Sequence, residues 1–206
     1  MACCLNRFGY PIIKTKIMKL LFSGFCLVAG LFIIQACNNN SETSSSHEDA
    51  VDSAKSVNKV VQPVQKDASD FAVAAANGGM MEVELGKVAQ EKGVNPRVKD
   101  FGGMMVKDHS AANDNLKTVA GMLNITLPDS VSDDTRKEID KLKKKKGRDF
   151  DKAYVDMMLD DHKKDIAEFR KCADNCSDSS IKSFASTTLP TLEKHLDSIQ
   201  AIAGKK

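Results

Sequence analysis

Two histidines in this chain close the same six-residue phrase. Met104-Met105-Val106-Lys107-Asp108-His109 returns as Met157-Met158-Leu159-Asp160-Asp161-His162, with Phe101 and Tyr154 upstream and Leu116 and Phe169 downstream in matching register. Residues four apart on a helix lie on one face, one turn from each other. A helical reading therefore pairs Met105 with His109 and Met158 with His162, while Asp108 and Asp161 flank the imidazoles. Neutral imidazoles suit zinc, copper or iron, thioethers favour copper(I), and a nearby carboxylate can ligate the ion or orient an imidazole. The competing role is structural: inward histidines bond to acidic side chains and fix helix register, and methionines fill irregular gaps in a core.

Helical periodicity says where these residues sit. Phe71, Ala74, Gly78, Met81, Leu85, Val88 and Ala89 mark one face of a long helix over residues 67–93, with Glu82 near its apolar edge. Asp67, Ser69 or Asp70 can cap its start, and Gly78-Gly79 permits a close crossing or a kink. Pro96 opens a second helix that reaches Asn124 and carries His109 inside the stripe Val98, Phe101, Met105, Ala112 and Leu116. Ser132, Asp133 or Asp134 can cap a shorter helix through Leu142. The lysine run from Lys141 to Lys146 reads as a solvated helix end, with contact to anionic lipid as its alternative. Residues 149–176 form a helix with Tyr154, Met158, His162, Asp165, Phe169 and Cys172 on one side. Ser177-Asp178 opens the last helix, which carries His195 inward and is expected to kink or restart at Pro190.

Three of the chain's four histidines thus lie on inward stripes of three helices, with a carboxylate on a fourth. The candidate metal ligands are Glu82, His109, His162 and His195; Asp108, Asp161, Met105 and Met158 are weaker members of the set. The Glu-x-x-His motif of di-iron bundles does not occur, which leaves oxygen chemistry at a di-iron centre without support. No Ser-His-Asp spacing, phosphate loop or nucleotide fingerprint is found, so no catalytic residue and no organic cofactor is assigned. Cys172 and Cys176, four apart in regular helix, are poorly disposed for a disulfide unless the helix frays there, which Asn175 and Ser177 allow.

Composition fits this reading. Net charge is only +2 across 206 residues with 28% charged, which gives no strong overall pull toward nucleic acid or anionic lipid. Aromatics are 5%, Trp is absent, and the abundant Ala, Leu, Met and Lys favour helices over strands. The expected fold is all-α: a four-helix bundle with one extra short helix over residues 67–206. Ahead of it, residues 1–36 read as a signal region, with Met18 a more usual start, because Lys14, Lys16 and Lys19 precede a short apolar run ending in Ala36. Cys37 follows that small residue and is read as the lipidated first residue of the mature chain. Residues 37–66 are polar and read as a flexible tether, in which His47 is solvated.

The order and spacing of Gly78-Gly79-Met80-Met81-Glu82, Val98-Lys99-Asp100-Phe101, Phe150-Asp151-Lys152-Ala153-Tyr154, Asp161-His162 and Leu189-Pro190-Thr191-Leu192-Glu193-Lys194-His195-Leu196 resemble a bacterial ferritin-like family of unknown function. Its members are predicted outer-membrane proteins, and the resemblance covers residues 67–203. It implies a ferritin-like bundle in the cell envelope; together with a lipidated Cys37, the expected place is the periplasmic face of the outer membrane. It also implies that Glu82, His109, His162 and His195 match motif positions. Two functions remain open: a structural or interaction module whose protein partner is unknown, or a transition-metal binder for copper, zinc or iron in a stress or buffering role.

Overall fold

The computed structural model describes residues 48–61 and 65–204. The signal region, Cys37, His47 and the remainder of the expected tether lie outside the described residues. Helices run as α1 (Ala50–Val61), α2 (Lys66–Lys92), α3 (Pro96–Met122), α4 (Asp133–Lys143), α5 (Gly147–Asn175) and α6 (Ser179–Ala203). The four long helices and the short α4 are those expected. Among the described residues, no helix is long and apolar enough to cross a membrane.

Helix α1 corrects the tether reading for residues 50–61. Half of its residues are Ala or Val, Ala54 is buried, and Asn58 binds both backbone groups of Thr126, donating to its carbonyl at 2.9 Å and accepting its N–H at 2.7 Å. Paired main-chain groups far along the chain hold this helix where composition alone suggested none.

Short connections fold α2 with α3, and α5 with α6, into two hairpins. In the first, Asn95 caps α3 by accepting from Arg97 N–H at 3.0 Å. The buried Asp151 of α5 accepts from Val94 N–H at 3.1 Å and Asn95 N–H at 2.8 Å, tying this turn to the second hairpin. The close crossing of α2 and α3 lies at Gly86 and Gly102 rather than at Gly78-Gly79. A Cβ on Gly86 would sit 2.7 Å from the Gly102 carbonyl, and one on Gly102 would sit 2.6 Å from the Gly86 carbonyl, so only glycine lets the backbones meet. Gly79 instead makes room for the side chain of Asn113, and a Cβ on Gly78 would meet nothing within 4 Å.

Other local expectations also shift. Gln65 precedes α2 without a side-chain cap, and Asp67 instead accepts from Ser177 N–H at 2.9 Å and Ser177 Oγ at 2.6 Å. Helix α6 is continuous through Pro190. Cys172 and Cys176 form a disulfide, with Cα atoms 4.6 Å apart. Helix α5 ends at Asn175, so Cys176 is already out of helical conformation and the constraint of a regular i, i+4 pair does not apply.

Side chains fill the interior in two apolar layers. One holds Leu85, Phe101, Met105, Ile139, Tyr154, Met158 and Ile199; the other holds Ala72, Leu116, Phe169, Ile181, Phe184 and Leu192. On each long helix the two layers are separated by a polar residue: Glu82 on α2, His109 on α3, His162 on α5 and His195 on α6. All four are buried.

Candidate metal centre

The polar layer is where the sequence candidates meet. One ring nitrogen from each of His109, His162 and His195 lies within 4.8 Å of those of the others. Ring centroids are 5.2 to 5.8 Å apart. Helix periodicity explains the meeting: each histidine interrupts an apolar stripe, so packing that stripe carries the imidazole inward with it.

Hydrogen-bond partners fix the protons. His162 Nδ1 is 3.0 Å from the Met158 carbonyl, one turn back on the same helix. A carbonyl only accepts, so Nδ1 carries the proton and Nε2 keeps its lone pair. His195 Nε2 lies 3.1 Å from Asp108 Oδ2 and donates to that carboxylate, leaving the lone pair on Nδ1. His109 Nδ1 is 2.8 Å from Glu82 Oε2, and its Nε2 is buried with no partner. The second oxygen, Glu82 Oε1, stands 3.5 Å from His162 Nδ1. Each imidazole is thus oriented from outside by a carboxylate or a carbonyl, the arrangement that steers metal-binding histidines.

The inward side then poses a problem. His162 Nε2 and His195 Nδ1 face each other at 3.3 Å. With both outer nitrogens donating, no proton remains to bridge them unless one ring becomes cationic. Burial opposes that, holding His109, His162 and His195 each down at about 4 against the carboxylates that pull them upward. Two imidazole nitrogens bound at about 2.0–2.1 Å on one tetrahedral ion stand about 3.3 Å apart. The donor set and its spacing therefore fit a metal ion.

Acidic groups surround the layer. Burial raises the Glu82 carboxyl, the neighbouring Asp161 charge adds to the rise, and His162 opposes it. Asp161 is pushed up to about 6 by burial, and its Oδ2 is among the buried oxygens without a partner. Asp165 is also raised, first by burial and then by Glu82 and Asp161. Asp165 lies on the inward stripe of α5 but was not counted among the candidates; the available signal was its place three residues after His162. Tyr154 is fully buried with an unpartnered hydroxyl, and burial together with the Glu82 charge raises it. Phe101 floors the layer, its ring 6.1 Å from His162 and 6.4 Å from His195. Met105 and Met158 are fully buried in the apolar layer that contains Phe101 and Tyr154.

Fold and site together define a helical-bundle domain with a buried histidine and carboxylate layer. Residues 49–202 match the model of the domain of unknown function DUF4142, and the chain belongs to that family. The match reaches back across α1, further than the resemblance at residues 67–203. No curated protein matches the chain. Among solved structures, a DUF305 fragment from Deinococcus radiodurans shares the fold with a TM-score of 0.61 at 10% identity, covering 69% of this chain and 99% of that one. A DUF305 protein from Streptomyces coelicolor, described as secreted, has a TM-score of 0.55 at 16% identity over 69% of this chain and 98% of its own. At such identities the likeness is one of fold.

Proposed function

We propose that this domain binds one zinc or copper ion through His109, His162 and His195, with Glu82, Asp108 and the Met158 carbonyl orienting the rings. The observation that carries the reading is the contact between His162 Nε2 and His195 Nδ1, two facing lone pairs in a layer that disfavours protonation. A cation there turns repulsion into coordination and supplies charge to buried carboxylates that otherwise resist ionising. Iron is the weaker choice, since the ligands are mostly neutral nitrogens and the Glu-x-x-His pattern is absent.

The setting we propose is the bacterial cell envelope, with Cys37 lipidated and the ferritin-like bundle held at the periplasmic face of the outer membrane. The signal-like residues 14–37 and the description of the Streptomyces neighbour as secreted support export. A buffering or carrier role suits an ion bound within a closed layer. The test is titration of metal-depleted protein with zinc and with copper(I), followed by metal analysis of the separated protein. One ion per chain, absent from a variant with His109, His162 and His195 all changed to Ala, supports the reading. Unchanged uptake by that variant refutes it.

A further inference from the structure

A second feature, independent of the metal centre, lies at the junction of α4 and α5. Lys141, Lys143, Lys144, Lys145, Lys146 and Arg148 fall within one helix end and the turn after it. Lys143 is occupied: its ammonium, with Arg136, pairs with Glu84 at 2.6 Å. Lys141, Lys144, Lys145, Lys146 and Arg148 are exposed, and none of these side chains has an ion-pair or hydrogen-bond partner among the described residues. Glu138, Asp140 and Asp149 are the nearest acidic residues in sequence and leave the segment cationic.

Helix electrostatics accounts for only part of this. Cations in the last turn of α4 complement its negative end, which covers Lys141 and Lys143. Lys144 caps the same negative end, but Lys145 lies beyond it, and Lys146 and Arg148 stand at the positive N-terminal end of α5, where a cation is disfavoured. The turn is nevertheless firmly built. Leu142 and Phe150 are buried on either side of it, the Lys92 ammonium holds the Lys143 carbonyl, and Lys145 N–H donates to the Leu142 carbonyl at 3.0 Å. Gly147 reverses the chain at φ +56°. A fixed, solvent-exposed turn thus displays cations that local stability does not call for.

We propose that this turn docks on an anionic phospholipid surface. Flexible ammonium groups spread over an exposed turn suit a delocalised layer of phosphate headgroups better than a single bound anion. The position suits it as well. Asp133 N–H, at the start of α4, donates to Asp49 Oδ2 at 2.6 Å, which sets the beginning of the described chain at the N-terminal end of this helix. Helix α4 is about 16 Å long. Asp49, next to the first described residue, therefore lies about one length of α4 from the basic turn.

Residues 45–206 form a compact unit with its own core, so residues 38–206, unlipidated, serve for the test. Sedimentation is measured with vesicles of phosphatidylcholine alone and of phosphatidylcholine with phosphatidylglycerol, at low and high salt. Binding only to the anionic vesicles, lost at high salt, is expected. The variant K141Q/K144Q/K145Q/K146Q/R148Q should lose on the order of a thousandfold or more in vesicle affinity. The variant K55Q/K59Q/K117Q/K163Q/K171Q, of equal net charge, should retain binding, and urea unfolding checks that both are folded. Equal loss in the two variants, binding to neutral vesicles, or abolition by inorganic phosphate at matched ionic strength would each overturn the proposal.

Discussion

The interior of this bundle contains two kinds of layer, and they follow different rules. The apolar layers around Leu85 and around Leu192 are held by area removed from water, each fully buried large side chain contributing about 1.5–3 kcal/mol. The layer between them gains little from that source, because it places Glu82, His109, His162 and His195 where charge is costly and leaves several polar atoms unpartnered. The apolar layers account for folding. The polar layer is held instead by directed bonds, His195 to Asp108, His109 to Glu82 and His162 to the Met158 carbonyl.

That contrast can be broken from either side. The largest effect is expected from His162→Ala, which removes a ligand and should reduce zinc affinity beyond the 10- to 100-fold typical of losing an orienting partner; a competition titration with a chelating dye measures it. Leu85→Ala in the apolar layer should cost about 2–5 kcal/mol in urea unfolding and leave one zinc per folded chain. Asp108→Asn should leave stability nearly unchanged yet weaken zinc by about 10- to 100-fold, since it loosens the proton placement on His195. The smallest effect concerns pH in the metal-free protein. Glu82 is raised by burial, so its contribution is present at low pH and lost as pH rises through the raised value. Glu82→Gln avoids that loss, and its stability relative to the parent should therefore increase between about pH 5 and pH 8, as read from urea midpoints.

Much of this architecture is legible in the sequence because long helices write their faces at intervals of three and four. The stripes through Phe101, Met105 and His109, and through Tyr154, Met158 and His162, suffice to put the histidines inside. The pairing of Asp108 with His195 rather than with its neighbour His109 is not legible, since it depends on how α3 and α6 pack. Helix α1 is written in the spacing of Ala50, Val51, Ala54, Val57 and Val61, which the polar tract around it obscures; Asn58 gripping Thr126 is a contact across many residues that periodicity does not register. The Gly86–Gly102 crossing was masked by the more conspicuous Gly78-Gly79. The disulfide depended on one residue of helix end at Cys176, finer than a pattern resolves. The two histidine roles drawn from sequence, register and ligation, call on different ring atoms. The outer nitrogens do the first and the inner nitrogens are free for the second.

The central claim is that division of labour within each ring, and nitrogen-15 NMR of the histidines reads it directly. Metal-free protein should show His109 and His162 protonated at Nδ1 and His195 at Nε2. One equivalent of zinc should then shift His109 Nε2, His162 Nε2 and His195 Nδ1 together. The opposite tautomers, or a zinc shift confined to His47, would contradict it.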